Sequence, residues 1–437
     1  MRVLMLSWEY PPVVVGGLGR HVHALAEQLA AQGHEVILLC RQPTGTDAST
    51  HPTEVENRAK VRVVRVAEDP AHLSFEHDLV AWTLAMGHAM VRAGHALLRG
   101  WRPDVVHAHD WLVAHPAIAL AEAAEVPLVT TLHATEAGRH SGWLSQPLNQ
   151  QIHSIEWWLA NRADQLITCS VAMRHETAQL FDVEPAEIAV LHNGISPNPW
   201  RVSPAKVAEA RASVQAKDAP LLLFFGRIEW EKGAQDAVAA LPAIRRSHPG
   251  AVLAIAGQGG YQDRLVDEAR RHRVRRAVRL TGQLPDQELA ALLAAADVVV
   301  LPSRYEPFGI VALEAAAAGA PLVASTAGGL GEVVRDGETG LSFAPGDVAG
   351  LTAGVRRVLA DPASAARRAS AARDRLSTDF AWPAIAAATA DVYAASALTL
   401  AAARPRPASP PQVDHPGADR GRDLPRPKIP SGNLLLG

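Results

Sequence analysis

Two short segments of this sequence carry most of its potential chemistry. The first, Ser303-Arg304-Tyr305-Glu306-Pro307-Phe308-Gly309-Ile310-Val311-Ala312-Leu313-Glu314, follows an apolar run, Val298–Leu301, of the kind that forms a buried strand. Pro307 suits the start of a helix, where its missing N–H is no loss, and the pattern predicts a helix through Glu314 to a stop at Gly319. Amides near Phe308, Gly309 and Ile310 would then form a phosphate cradle. Glu306 stands just before the helix, and Glu314 lies about two turns later. An ionised carboxylate accepts from paired hydroxyls, which sugars and ribose both present, so an acid on each side of a phosphate site suits a sugar nucleotide. The plainer reading is a helix-capping acid and a solvated helix acid.

The second segment, Gly226-Arg227-Ile228-Glu229-Trp230-Glu231-Lys232-Gly233, directly follows the apolar run Leu221–Phe225. It places two cations at a strand's carboxyl end, where charge growing on a departing diphosphate would need them. Arg227 can grip phosphate oxygens in a fork and Lys232 acts as a point charge. Its plainer reading is an exposed loop that is cationic by chance. Gly16-Gly17-Leu18-Gly19-Arg20 follows Val3–Leu6, and its glycines would let a backbone and a phosphate approach closely at a helix N-terminus. A tight structural turn explains it equally. The fragment Gly17-x-Gly19-x-x-Val22 lacks the third glycine of a dinucleotide fingerprint, which argues against an NAD dehydrogenase.

His133 follows the run Leu128–Leu132, and His107, His109 and Asp110 end another run. Such a cluster can bind a metal, but no further Cys or His spacing completes a zinc pattern. An Asp-x-Asp pair is also missing, so no metal and no cofactor are expected. Trp111, Trp143, Trp157 and Trp158 can stack on sugar rings, although core packing is the commoner fate of tryptophan.

The elements that must position these residues alternate. Val3–Leu6, Glu35–Leu39, Val61–Val66, Val105–Ala108, Leu128–Leu132, Gln165–Thr168 and Ile188–Leu191 read as strands separated by helical patterns. The pattern breaks near His192-Asn193-Gly194-Ile195 and resumes with Leu221–Phe225, Ala251–Ala256, Val278–Thr281, Val298–Leu301 and Pro321–Ala324. This predicts an α/β protein with two Rossmann-like, doubly wound halves facing a cleft. The expected divisions are residues 1–200, 201–379, a helix over 380–403 that packs back on the N-terminal domain, and a disordered tail over 404–437. A length of 437 residues also favours two cores over one.

A net charge of −3 gives no reason to expect nucleic acid or an anionic membrane as partner. Cys40 and Cys169 cannot build a disulfide framework, and their scarcity suits a reducing cytoplasm. The apolar run after Arg2 is too short for a signal peptide. The stretch Ala384–Ala403 approaches membrane-span length, but Asp391 interrupts it and alanine is only weakly apolar, so a docked helix is expected rather than a membrane segment.

In combination these residues resemble the retaining GT-B glycosyltransferases of glycosyltransferase family 4 and the glycogen-synthase-like enzymes. The resemblance rests on the Pro-Pro-x-x-x-Gly-Gly loop, the His-Asn-Gly-Ile junction, the Gly-Arg-x-x-x-x-Lys-Gly loop and Glu306-x₇-Glu314, over about residues 1 to 400. Within that family the chain looks most like actinobacterial α-1,4-glucosyltransferases of glycogen or methylglucose polysaccharide synthesis. The resemblance implies transfer of glucose from UDP-glucose or ADP-glucose to a glucan or related acceptor, with the donor as substrate rather than cofactor. It implies that Arg227 and Lys232 bind the diphosphate, assisted by Gly309, Ile310, Gly16 and Gly17. It implies that Glu314 holds ribose, that Glu306 and His133 lie at the transferred sugar, and that Asp110 positions sugar or acceptor. One departure is that Val13-Val14-Val15 precede Gly16-Gly17 where bacterial glycogen synthases carry a Lys, so donor choice does not transfer. A GDP-mannose-dependent mannosyltransferase, a sugar-nucleotide epimerase and a non-catalytic glycan-binding protein remain alternatives at this point. Oligomeric state is left open.

Overall fold

The structure, a computed structural model, describes residues 1–13, 16–43, 53–67, 72–214, 216 and 219–403. Its strands are β1 (Arg2–Leu6), β2 (Glu35–Arg41), β3 (Glu54–Arg58), β4 (Val61–Val66), β5 (Val105–His109), β6 (Leu128–Leu132), β7 (Gln165–Thr168), β8 (Ile188–Val190), β9 (Leu221–Phe225), β10 (Val252–Ala256), β11 (Val278–Gly282), β12 (Val298–Leu301), β13 (Leu322–Ser325) and β14 (Leu341–Phe343). They form one sheet in the order β3-β4-β2-β1-β5-β6-β7-β8 and a second in the order β11-β10-β9-β12-β13-β14. Apart from the antiparallel β3–β4 pair, every pairing is parallel. The central strands are buried along their length because helices cover both faces of a parallel sheet; β9, β10 and β12 are wholly apolar, while β5 and β6 bury histidines and threonines.

In each sheet the winding reverses at the middle, between β1 and β5 and between β9 and β12. Loops leaving the carboxyl ends of neighbouring strands at such a reversal run to opposite faces and leave a crevice. That is where Gly16-Gly17, His109-Asp110, Arg227–Lys232 and Glu306–Glu314 fall. Two strands depart from the expected set. The hairpin strand β3, Glu-Val-Glu-Asn-Arg, is exposed throughout, so it lacks the apolar alternation that marks a half-buried strand. The edge strand β14 is only three residues long.

The chain crosses between the sheets near Ile195, whose N–H donates to the Phe380 carbonyl at 3.0 Å as the chain returns. Ile195 and Ala381 form a parallel bridge. The following helix, Trp382–Ala403, packs against the first helix of the chain, Gly17–Ala31. Trp382, Ile385, Ala386 and Tyr393 join the core of the first sheet. The span Trp382–Leu400 is long and apolar enough to cross a membrane by length and composition. Here its buried residues Trp382, Ile385, Ala386, Thr389, Tyr393 and Ser396 recur at helical spacing and form one docked face. The expected tail, 404–437, lies outside the described residues, as do Val14 and Val15.

Candidate active site between the two sheets

On the second sheet, the loops after β9 and β12 are tied together. The Glu231 carbonyl accepts the Arg304 N–H at 2.7 Å, and the Arg304 guanidinium pairs with Asp236 at 2.8 Å and lies over the Trp230 ring. This brings Lys232 Nζ to 2.9 Å from Glu306 Oε2, with Ser303 Oγ 3.3 Å from the same oxygen. Arg227 pairs with Glu231 at 3.1 Å and is half exposed. Lys232 and Glu306 therefore meet directly, while Arg227 of the same loop is held by Glu231.

The helix after β12 starts later than the proline suggests. It runs Ile310–Ala318, and Gly309 stands before it at φ +102°, a conformation that strains any residue with a Cβ. The Pro307 carbonyl, which would otherwise accept within that helix, takes the Ser170 hydroxyl at 2.7 Å. The Phe308 ring is buried against His192 and Phe380 at the junction, which anchors the turn that carries its amide. Gly309 and Ile310 keep the expected place at the helix start.

On the first sheet, β5 and β6 deliver His109, Asp110 and His133 side by side. The Asp110 carboxylate accepts the His133 backbone N–H at 2.7 Å. Asp110 sits at φ +62°, a strained conformation for a non-glycine residue, held by this bond and by its own N–H to the Thr131 carbonyl at 3.0 Å. Burial raises its carboxyl to about 6, opposed by the His133 N–H. His133 reaches His109 at 3.1 Å, and burial pushes it down to about 3. Burial also lowers His21, His107 and His109 well below the ordinary histidine value, so all four imidazoles are neutral at pH 7. Ring nitrogens of His21, His109 and His133 lie within 4.8 Å of one another, and neutral imidazoles are the form that ligates transition metals.

The glycine loop approaches the second sheet directly. A Cβ on Gly17 would stand 2.8 Å from Ile310 Cδ1. The Gly16 N–H already donates to the Glu9 carboxylate at 3.2 Å. One turn on, Arg20 spans the crevice with Nη1 2.5 Å from Glu314 Oε1 and Nη2 3.0 Å from Asp286 Oδ1. Burial raises Glu314 to about 7, and the Arg20 guanidinium works against that rise.

Other contacts between the sheets came unannounced by any motif. The Tyr305 hydroxyl donates to Glu176 at 2.9 Å, and Thr135 donates to the same oxygen. The Glu332 carboxylate accepts the Val171 and Ala172 N–H groups at 3.0 and 2.9 Å, at the start of the helix Val171–Phe181. Arg20 and Tyr305 stand inside quoted motifs, but their roles, like those of Glu176 and Glu332, had no legible signal because each is defined by a partner more than a hundred residues away.

Two loops of cations and acids facing a loop of glycines, at the switch points of two parallel sheets, define a nucleotide-sugar cleft. Residues 206–375 match the family model described as glycosyl transferases group 1, and residues 15–198 match that for glycosyltransferase family 4. The chain belongs to glycosyltransferase family 4, with the GT-B fold, and is a glycosyltransferase of glycogen-synthase type. A glycogen synthase of Mycobacterium tuberculosis is 57% identical over 425 residues, covering 96% of this chain and 100% of that protein. An uncharacterized glycosyltransferase of Methanocaldococcus jannaschii is 35% identical, covering 90% of this chain and 98% of its own. Among solved structures, sucrose-phosphate synthase of Thermosynechococcus elongatus is similar with a TM-score of 0.76 at 26% identity, covering 92% of this chain and 100% of that one.

Proposed function

We propose that this protein transfers glucose from UDP-glucose or ADP-glucose to a glucan, forming α-1,4 links with retention of anomeric configuration. The observation that carries this reading is the 57% identity, end to end, to a glycogen synthase. Arg227 and Lys232 take the donor diphosphate, exchanging their present carboxylate partners for phosphate oxygens as charge grows on the leaving group. Glu306, released from Lys232, accepts from hydroxyls of the transferred sugar, and Glu314, released from Arg20, accepts from ribose. Gly309, Ile310 and the Gly17 turn supply amides at helix starts, while the Gly16 amide serves the loop through Glu9.

Asp110 holds the His133 backbone, so that His133 lies beside the anomeric carbon as a neutral group able to accept or donate a hydrogen bond. The nucleoside diphosphate departs and the acceptor hydroxyl attacks on one face of the sugar, and the departing phosphate oxygen takes the acceptor's proton. Glu306 shares a turn with the phosphate-binding amides and cannot readily attack from behind. The cations come from the protein, so the reaction runs without added metal, in the cytoplasm.

Incubation with UDP-glucose, ADP-glucose and GDP-mannose, with and without glycogen, tests the reading by nucleotide release and by NMR of the product anomer. Glucan-dependent release from a glucose donor with an α product is expected. Release from GDP-mannose alone, release without acceptor, or an inverted product would contradict it.

A further inference from the structure

Three of the most exposed aromatic residues in the described structure stand in one short stretch. Trp143, Trp157 and Trp158 are 74%, 48% and 36% exposed, although tryptophan ordinarily hides most of its surface. They lie on the loop after the short helix Glu136–Arg139 and on the next helix, Pro147–Arg162. From Ser141 to Asn161 the chain holds a single charged residue, Glu156, and that carboxylate is buried. The loop and the helix are joined, since the Gln150 side chain donates to the Leu144 carbonyl at 3.0 Å. Gln150, Ser154, Trp157 and Asn161 recur at helical spacing and are all exposed, a polar and aromatic stripe that places Trp157 about 10 Å along the helix from Gln150.

The same stretch is tied to the loop after β6, which borders the cleft. Asn149 donates to Glu136 at 2.6 Å, and buried Glu156, which burial raises to about 8, accepts the Glu136 N–H at 2.9 Å. Glu136 follows His133 by three residues. The stretch that carries the tryptophans is therefore anchored to the loop that carries His133.

We propose that Trp143, Trp157 and Trp158 form a glucan-holding track that carries the acceptor polymer away from the catalytic cleft. The proposal rests on the glucan reading above and names where the polymer runs. An indole face takes the apolar C–H face of a pyranose, and the Gln, Ser and Asn side chains beside it pair with sugar hydroxyls. The stretch lacks the cations that a nucleic acid or an anionic lipid surface would need.

The test uses the full chain with Trp143→Ala and Trp157→Ala, singly and together, both at exposed positions. Mobility is measured by native electrophoresis through gels with and without glycogen, a readout that needs no turnover. Initial rates are measured with glycogen and with a short maltooligosaccharide. Each single change should raise KM for glycogen roughly fivefold, the size of one lost aromatic contact. Glycogen retardation should fall in parallel, while the donor KM and the short-acceptor rates stay at the parental level. Unchanged retardation and unchanged glycogen KM in the double variant would overturn the track, as would a parental dimer that the substitutions turn into monomer. A parent that transfers to neither acceptor would instead defeat the functional reading, while the gel still reports on the track.

Discussion

On the first-sheet side of the cleft, four histidines are neutral and bonded inward: His107 to Thr131 and Tyr393, His133 to His109, with His21 packed against both His109 and His133. On the second-sheet side, Arg227, Lys232, Glu231 and Glu306 form ion pairs at 2.9–3.1 Å. The strands that deliver both sets are equally buried, so the contrast comes from the loops. An imidazole under its own backbone, shut off from water, loses its charge. A cation in an open loop beside a carboxylate keeps a partner that an incoming anion can replace. Under the proposed function this difference divides the labour, with a neutral wall at the anomeric carbon and the cations of the charged wall at the diphosphate, from which Glu306 reaches to the sugar hydroxyls.

The strongest way to break this division is to discharge the charged wall. Lys232→Ala and Arg227→Ala should each lower turnover on the order of 10²–10³-fold, with thermal unfolding near that of the parent. Near-parental turnover in both folded variants would remove the diphosphate role. A pH profile sharpens the comparison where the walls touch, at Arg20 and Glu314. Glu314 must be ionised to accept from two hydroxyls, and its raised value of about 7 means that kcat/KM for the donor should fall as pH drops through that value. Arg20 favours the ionised form, so Arg20→Ala should move the acid limb to higher pH, and a limb that stays in place would contradict the pairing.

A smaller effect is expected inside the neutral wall. Tyr393→Phe removes the 2.7 Å bond to His107 and should cost about 1 kcal/mol of stability, read by denaturant unfolding, without altering rates. Smallest of all, excess EDTA should leave activity unchanged. Loss in EDTA that zinc restores would turn the His21, His109 and His133 cluster into a working metal site.

How much of this was legible depends on the range of each interaction. The central strands of the second sheet were readable because continuous apolar runs announce themselves locally, as Leu221–Phe225 and Val298–Leu301 do. Glu306, Glu314, Arg227 and Lys232 were readable because each follows such a run at a fixed spacing. The helix start at Ile310 was not, since Pro307 is compatible with a helix and only tertiary contact holds its carbonyl for Ser170. His21 reads as one polar residue on an amphipathic helix, yet it is buried among rings from β5 and β6. Arg20 stands in the glycine motif, but its partner Glu314 lies 294 residues away.

The division of labour is tested most directly by calorimetric titration of UDP and ADP into the parent, Lys232→Ala and His133→Ala proteins, since a product nucleotide carries the diphosphate without the sugar. For the nucleotide the parent prefers, Lys232→Ala should weaken binding roughly 10- to 100-fold, the size of one lost charged hydrogen bond, and His133→Ala should leave it unchanged. Equal weakening in both variants, or parental affinity in Lys232→Ala, would contradict the proposed placing of Lys232 at the diphosphate and His133 at the sugar.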